Sequence, residues 1–412
     1  MSAPEDASPP ASPAPAESPV PPTPAPKRKR RRWLAVLGVL LALLLVAFAV
    51  LVTWAPVPLG APRGFDLNEV RAMARGGSGP LPSAVGRWVV AEGVSPRAFV
   101  GASWDVVTKV TFAFPAFQIS WPDHYVIVDA PHERSTHDER FPGNAYDQDA
   151  YDGVARALRG AQQIIFTHEH FDHVRGVSQS PDFAALAPRV RMTQAQADAM
   201  PEDAGFTAEQ LAALRTEPLT EPTRIAPGVV LIPAAGHTPG SLYVFVALAN
   251  GQDVLLVGDA VWSHHNLNRA VGRPLAVALA LGEDREATLN QVRALITLRD
   301  TQPTLAIVPA HDDQTVQRYV EAGFLHDGFL PVRPRPVVPD GAEQALLPDG
   351  GVPDGGVVEA GLDGGVAEAP DTDTDAGVAD PAVPAAPGAP GAEEAAAASR
   401  APAPPASAPA AP

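Results

Sequence analysis

Cysteine is absent from all 412 residues. That excludes disulfides, thiolate zinc sites, a cysteine nucleophile and a lipoprotein anchor, and it is compatible with an oxidising compartment. Lysine is nearly absent as well, with Lys27, Lys29 and Lys109 the only three among 30 basic residues. With so much Ala, Pro and Arg, this bias points to a GC-rich, bacterial coding sequence. No basic stripe suited to a phosphate backbone is present, so nucleic acid is not an expected partner. The formal net charge of −17 belongs largely to one end. Beyond residue 332, 13 acidic residues stand against Arg333, Arg335 and Arg400, and the rest of the chain is only mildly acidic.

Charge is also missing from Leu34 to Val52, a run of Leu, Val and Ala long enough to span a bilayer as a helix. Trp33 and Trp54 bracket the run as an aromatic belt would, and the six cations Lys27 to Arg32 precede it, against Arg63 after it. This asymmetry places the N-terminus in the cytoplasm and the rest of the chain outside it, in the periplasm of a bacterium. A cleaved signal peptide is the competing reading. The run exceeds the usual apolar core of a signal, and Thr53-Trp54-Ala55-Pro56 follows it, so an uncleaved anchor is favoured.

The 47 prolines gather mostly at the two ends, which favours one large domain with appendages. The expected division is a disordered basic segment over 1–32, a transmembrane helix over 33–54, a linker over 55–82, a catalytic domain over 83–332, and a disordered acidic tail rich in Pro, Ala and Gly over 333–412.

Within the domain, Gln163 to Thr167 reads as a short buried strand, followed directly by His168-Glu169-His170-Phe171-Asp172-His173. Imidazole and carboxylate are the donors that zinc and other first-row divalent ions take when no thiolate is offered. His168 and His170, two apart at a strand end, can converge on one ion. Asp172 and His173, where the chain turns toward a helix, can aim at a second. The bland alternative is a polar loop with accidental histidines, which rarely yields such a string after a strand. Glu169, at an intervening position, is expected to face solvent or a salt-bridge partner. His132 and His137 lie in a charged stretch expected to be a surface loop, and His264 and His265 suit a pocket wall or a hydrated loop equally.

Other short apolar runs read as strands at 106–119, 125–129, 190–193, 229–233, 242–248, 254–257 and 305–308. Helical spacing runs over 149–159, near 194–200 and 208–215, over 283–299 and over 315–322. Strands and helices alternate in both halves, giving two sheets with helices outside.

The His-x-His-x-Asp-His string resembles the signature of the metallo-β-lactamase superfamily of metal-dependent hydrolases. The later motifs follow in that family's order: Asp129 after Tyr125-Val126-Ile127-Val128, His237 in Gly236-His237-Thr238-Pro239-Gly240-Ser241, Asp259 in Gly258-Asp259-Ala260, and His311 in Pro309-Ala310-His311. The resemblance covers roughly residues 83 to 330 and is specific for fold and metal site, but nearly silent on substrate. It implies an αβ/βα four-layer sandwich of two mixed β-sheets with outer helices, preceded here by one transmembrane helix. It implies two divalent ions, Zn2+ before Mn2+ or Fe2+. His168, His170 and His237 would hold one ion, Asp172, His173 and His311 the other, and Asp259 would bridge. Asp129 would order the histidine loop from behind, and Asp172 would also steer the nucleophile or carry a proton.

The implied activity is hydrolysis, by a metal-activated hydroxide, of an ester, lactone or related carbonyl bond in a small molecule. β-Lactamase and glyoxalase II-like thioesterase activities have closely similar ligand sets, and a non-catalytic metal-binding module is the alternative from another class. Redox di-iron relatives carry glutamate where this chain has His170, which favours hydrolysis over oxygen reduction. The short interval between Asp259 and His311 leaves no room for the extra domain of RNA-cutting relatives.

Overall fold

Strands with apolar residues at every position must be covered on both faces. This chain has many: Tyr125–Val128, Val229–Pro233, Leu242–Ala247 and Leu305–Val308 carry almost no side chain that prefers water. The computed structural model describes residues 27–52, 60 and 64–332, without the side chains of 27–30 and 52. Residues 1–26 of the expected basic segment, the expected tail 333–412, and Trp54 with most of the residues just after the apolar run lie outside the described residues.

The strands are β1 (Ala84–Pro96), β2 (Lys109–Ser120), β3 (Tyr125–Val128), β4 (Gln163–Ile165), β5 (Val190–Thr193), β6 (Thr216–Glu217), β7 (Thr223–Ala226), β8 (Val229–Pro233), β9 (Leu242–Ala247), β10 (Asp253–Leu256), β11 (Leu305–Val308) and β12 (His326–Asp327). The helices are α1 (Lys27–Val52), α2 (Leu67–Arg75), α3 (Arg97–Val100), α4 (Arg134–Arg140), α5 (Gln148–Gly160), α6 (Phe171–Ser178), α7 (Phe183–Leu186), α8 (Gln194–Asp198), α9 (Ala208–Ala213), α10 (His264–Arg269), α11 (Leu275–Leu281), α12 (Arg285–Thr301) and α13 (Asp313–Glu321).

Two mixed sheets result. One has the order β12-β1-β2-β3-β4-β5-β6, the other β11-β10-β9-β8-β7. Alternation along the strands assigns their faces. Val126, Val128 and Ile165 of the first sheet meet Val229, Leu231, Val244, Val246, Leu256 and Val308 of the second in one cluster between the sheets. Ile127 and Ile164 turn the other way, onto Val154 and Leu158 of α5 and Val174 and Val177 of α6. On the far side of the second sheet, Val230, Ile232, Phe245, Leu255 and Ile307 pack on Val292 and Leu295 of α12. The architecture is therefore helix, sheet, sheet, helix. Each fully buried Val, Leu or Ile contributes about 1.5–3 kcal/mol of transfer free energy, so this threefold core holds the domain.

Two stretches differ from expectation. Inside the stretch 55–82, Asp66 caps α2 through Asn68 N and Glu69 N, and α2 buries Leu67, Val70 and Ala74 against the second sheet. Its apolar residues are three and four apart, enough for one buried face amid Gly and Pro. The cations Lys27 to Arg32 are the first turns of α1 rather than part of an unstructured segment. Lys and Arg are good helix formers, and extending an existing helix costs far less than starting one. Within α1, Arg31–Leu51 is long and apolar enough to cross a membrane, a property that signal sequences share.

Strand direction places the site. β3 and β4 run parallel, as do β10 and β11, and β8 runs with β10 because both are antiparallel to β9. The loops after β3, β4, β8, β10 and β11 therefore leave the two sheets at strand C-terminal ends, the usual place for sites in open α/β sheets. Asp129, His168 to His173, His237, Asp259 and His311 sit in these loops in turn.

Candidate metal centre

The structure gathers all seven residues expected as ligands. Donor atoms of His168, His170, His237 and Asp259 lie within 4.8 Å of one another, and those of Asp172, His173 and His311 form a second such group. Every one of these side chains except His170 is buried, and His170 is nearly so. His170 Nδ1 is 3.1 Å from His168 Nε2 and 3.0 Å from His237 Nε2. Around a tetrahedral ion with bonds of about 2.0–2.1 Å, neighbouring donors stand about 3.3 Å apart. Both separations are close to those between ligands of one ion.

The protons behind these nitrogens are directed by fixed acceptors. His173 Nδ1 faces Asp129 Oδ2 at 2.9 Å, and His311 Nδ1 faces the Ala113 carbonyl of β2 at 2.7 Å. His237 Nδ1 faces Glu283 Oε2 at 3.2 Å. The oxygens facing His173 and His311 only accept, so in those two rings Nδ1 carries the hydrogen and Nε2 points its lone pair into the site. This is the arrangement metal-binding histidines adopt. His173 Nε2 and Asp259 Oδ1 are buried without a hydrogen-bond partner. Orphaned buried polar atoms are costly, and a cation between them satisfies both, so the donor set fits a divalent metal.

Electrostatics agree. Burial holds His168 and His237 below the ordinary imidazole range and His170 down at about 4, so all three stay neutral with lone pairs free. His173 and His311 go the other way. Burial opposes their charge, but carboxylates outweigh it: Asp172, Asp129 and Asp259 for His173, and Asp259 with Asp172 for His311. Three aspartates in one buried spot call for positive charge, and without metal they draw protons onto the nearest imidazoles.

Local strain marks the support. Asp129 has φ 63°, one of only two non-glycine residues with positive φ among the described residues. Aspartate tolerates the left-handed region better than most residues, but it persists there only where surroundings over-determine it. Here Asp129 Oδ1 accepts from Thr167 N at 2.7 Å, and Oδ2 accepts from Thr167 Oγ1 at 2.9 Å and from His173. One carboxylate therefore fixes both ends of the 168–173 loop.

Several residues differ from their sequence expectation. Glu169 is buried, and among the described residues its carboxylate is held by neutral donors. It accepts from Thr238 Oγ1 at 2.9 Å and Gly240 N at 3.1 Å, tying the 168–173 loop to the loop that carries His237. Burial pushes its carboxyl above the usual range. Glu169→Ala leaves the buried Gly240 N unpaired, a loss of about 2 kcal/mol. The expected result is a melting midpoint about 5 °C lower by circular dichroism, with Glu169→Gln close to wild type. An unchanged midpoint for the alanine variant would contradict the tie.

His132 and His137 are fully buried, not on a surface loop. They stack at 16° among Phe114, Phe141 and Phe171, with His132 Nε2 and His137 Nδ1 3.2 Å apart. The charged residues around them lie on the outer face of α4, which the helical period separates from Thr136 and His137. His264 is held by Asp312 at 3.0 Å, and with His265 it lines a second, polar cavity of about 640 Å³ that meets the site at His311 and Trp262.

Glu283 and Arg273 escaped notice in the sequence. Asp284 caps α12 through Ala287 N, so Glu283 stands just before the helix and turns inward to His237. Arg273 is buried, pairs with Glu283, contacts His237 Nδ1 at 3.0 Å and lies over the Trp262 ring. Trp262 Nε1 in turn donates to Asp259 Oδ2 at 2.7 Å. The sequence signals were position after a metal motif and, for Arg273, a lone charge in apolar surroundings.

Beside the metal cluster is a cavity of about 650 Å³, within the range of small-molecule sites. His170, Asp172, Asp259 and His311 form its floor, and Phe112, Phe114, Phe171 and Trp262 are among its walls.

Solved structures of similar fold include a quorum-quenching N-acyl homoserine lactone lactonase, 17% identical, covering 58% of this chain and 95% of that one with a TM-score of 0.47. A probable metal-dependent hydrolase from Staphylococcus aureus is 12% identical, covering 57% and 91%, with a TM-score of 0.45. A dizinc quorum-quenching lactonase is 15% identical, covering 57% and 89%, with a TM-score of 0.41. No protein of curated function matches the chain. Residues 142–318 match the model of the metallo-beta-lactamase superfamily, and with the two mixed sheets, the outer helices and the His/Asp cluster at their strand ends, the chain is over those residues a member of that superfamily.

Proposed function

We propose that this chain is a membrane-anchored hydrolase that holds two divalent ions and cleaves an ester, lactone or related carbonyl bond in a small molecule. His168, His170 and His237 would hold one ion, Asp172, His173 and His311 the other, and Asp259 both. Zinc suits this thiolate-free set of nitrogen and oxygen donors best, with manganese and iron as substitutes. When bound, such ions polarise a carbonyl and lower the pKa of water to about 7.

The observation that carries the reading is the position of Asp259. Its Oδ2 is 3.4 Å from His237 Nε2 and 3.2 Å from His311 Nε2, and its Oδ1 is 3.0 Å from His311 Nε2 and 3.5 Å from His173 Nε2. One carboxylate thus addresses both groups.

The chain's own residues do the rest. Asp172 reaches the cavity, and although burial opposes its charge, His173 and His311 hold its carboxyl well below the usual range. It stays ionised, able to orient a water and pass its proton to the leaving group. Asp129 and the Ala113 carbonyl keep the His173 and His311 imidazoles in one tautomer, and Glu283 with Arg273 holds the His237 ring in place. The aromatic walls exclude bulk water and give an apolar substrate a surface to lie on.

α1 supports the anchor, and the cations at its start, Lys27 to Arg32, support a cytoplasmic N-terminus with the domain on the other side. The test is turnover by the metal-loaded full chain of a lactone, a carboxylic ester, a thioester, a β-lactam and a phosphodiester. Hydrolysis of a lactone or carboxylic ester is expected. Cleavage of the phosphodiester alone, or of none, would overturn the reading.

A further inference from the structure

Exposed single hydrophobic residues are ordinary on a protein surface, but a cluster of them marks an interaction site. Among the described residues outside α1, the exposed large hydrophobics are Val94, Trp104, Val106, Val107 and Leu279. Trp104 is 65% exposed, Val107 86% and Leu279 68%. They belong to one side of the domain. Val94 stands at the end of β1 beside Thr111, close to where β2 starts. The segment with Trp104, Val106 and Val107 leads into β2, and its Ala102 N donates to Gly272 O just ahead of α11. Leu279 is on α11 itself.

This side touches α1. The helix packs beside α11, and Phe48 lies against Trp104 with ring centroids 6.2 Å apart. Helical rise sets the depth of that contact. The apolar run Leu34 to Val52 is about 28 Å long, close to the about 30 Å of a bilayer core. Phe48 is four residues from the helix end, about 6 Å inside it. What touches Phe48 must then dip just inside the hydrocarbon boundary, next to the level tryptophan prefers.

We infer that Trp104, Val106, Val107 and Leu279 form a lip that sits in the surface of the bilayer crossed by α1, holding the mouth of the catalytic cavity against the lipid. Val94, together with Val277, Ala280 and Leu281 of α11, lines that cavity, so lip and cavity wall share elements. An amphiphile dissolved in the membrane reaches the site without first crossing water. The inference rests on α1 being a membrane span, and it is independent of the reaction catalysed.

The absence of cysteine makes the test direct. Full-length chains carrying Val107→Cys, or Asn250→Cys in the turn at the opposite end of the second sheet, are labelled with an environment-sensitive fluorophore and reconstituted into phosphatidylcholine vesicles. At position 107 a blue shift, quenching by nitroxide lipid and loss of quenching by aqueous iodide are expected; at 250 the label stays open to iodide. Equal iodide access at both positions would overturn the lip. So would a label at 107 shielded from iodide and lipid quencher alike, which is the signature of a second copy covering the patch. A chain that does not float with the vesicles overturns the span and the lip together. None of these readings depends on turnover, so loss of the hydrolase reading registers separately.

Discussion

Asp259→Asn is expected to lower hydrolysis by at least about 100-fold, since even residues that only orient metal ligands are worth about 10–100-fold. The expected mechanism is loss of the shared charge. Both oxygens of Asp259 face imidazole nitrogens, Oδ2 at 3.2 and 3.4 Å and Oδ1 at 3.0 and 3.5 Å. An amide keeps the shape and can still accept from Trp262, so the fold should survive. It presents one oxygen and one N–H group, and the N–H side repels whatever cation that group holds. Metal content should fall in parallel with rate. Activity within a few-fold of wild type would remove Asp259 from the centre.

The second large effect is on stability. Asp129→Ala removes three acceptor contacts at once, to Thr167 N, Thr167 Oγ1 and His173 Nδ1. It also asks alanine to adopt φ 63° with no side-chain bond to compensate. Breaking a buried charged pair by deleting one partner costs about 3–5 kcal/mol, and that loss is expected in denaturant unfolding. Asp129→Asn tolerates the same backbone and should fold. Its effect should appear in metal affinity, about 10–100-fold weaker, because the amide no longer fixes the His173 tautomer. If both variants unfold at the wild-type midpoint, the strained aspartate is not the support described above.

Much of this arrangement was readable in the amino-acid order, for a physical reason. Ligands for a metal centre cluster after strands, and the strands are short runs such as Val229–Pro233 and Leu305–Val308 whose apolar character needs no context. Glu169 shows where local reading fails. Its position between two histidines says nothing of Gly240 N, which folding brings to 3.1 Å from it across 71 residues. Glu283 fails differently: it fits the amphipathic period of the following helix, and only the Asp284 cap reveals that the helix begins later. His132 and His137 sit among charges that suggest solvent, yet one turn of α4 turns His137 inward while Arg134, Asp138 and Glu139 stay out. The helix α2 was hidden because three buried positions in nine residues are a weak signal between glycines and prolines.

The central claim is a centre built for two ions, and metal stoichiometry tests it most directly. The full chain, purified in detergent, loaded with zinc and freed of excess by gel filtration, is measured by inductively coupled plasma mass spectrometry against its protein concentration. Close to two ions per chain is the expected result, because seven donors are too many for one tetrahedral ion. One ion per chain under metal-replete conditions, or none, would contradict it.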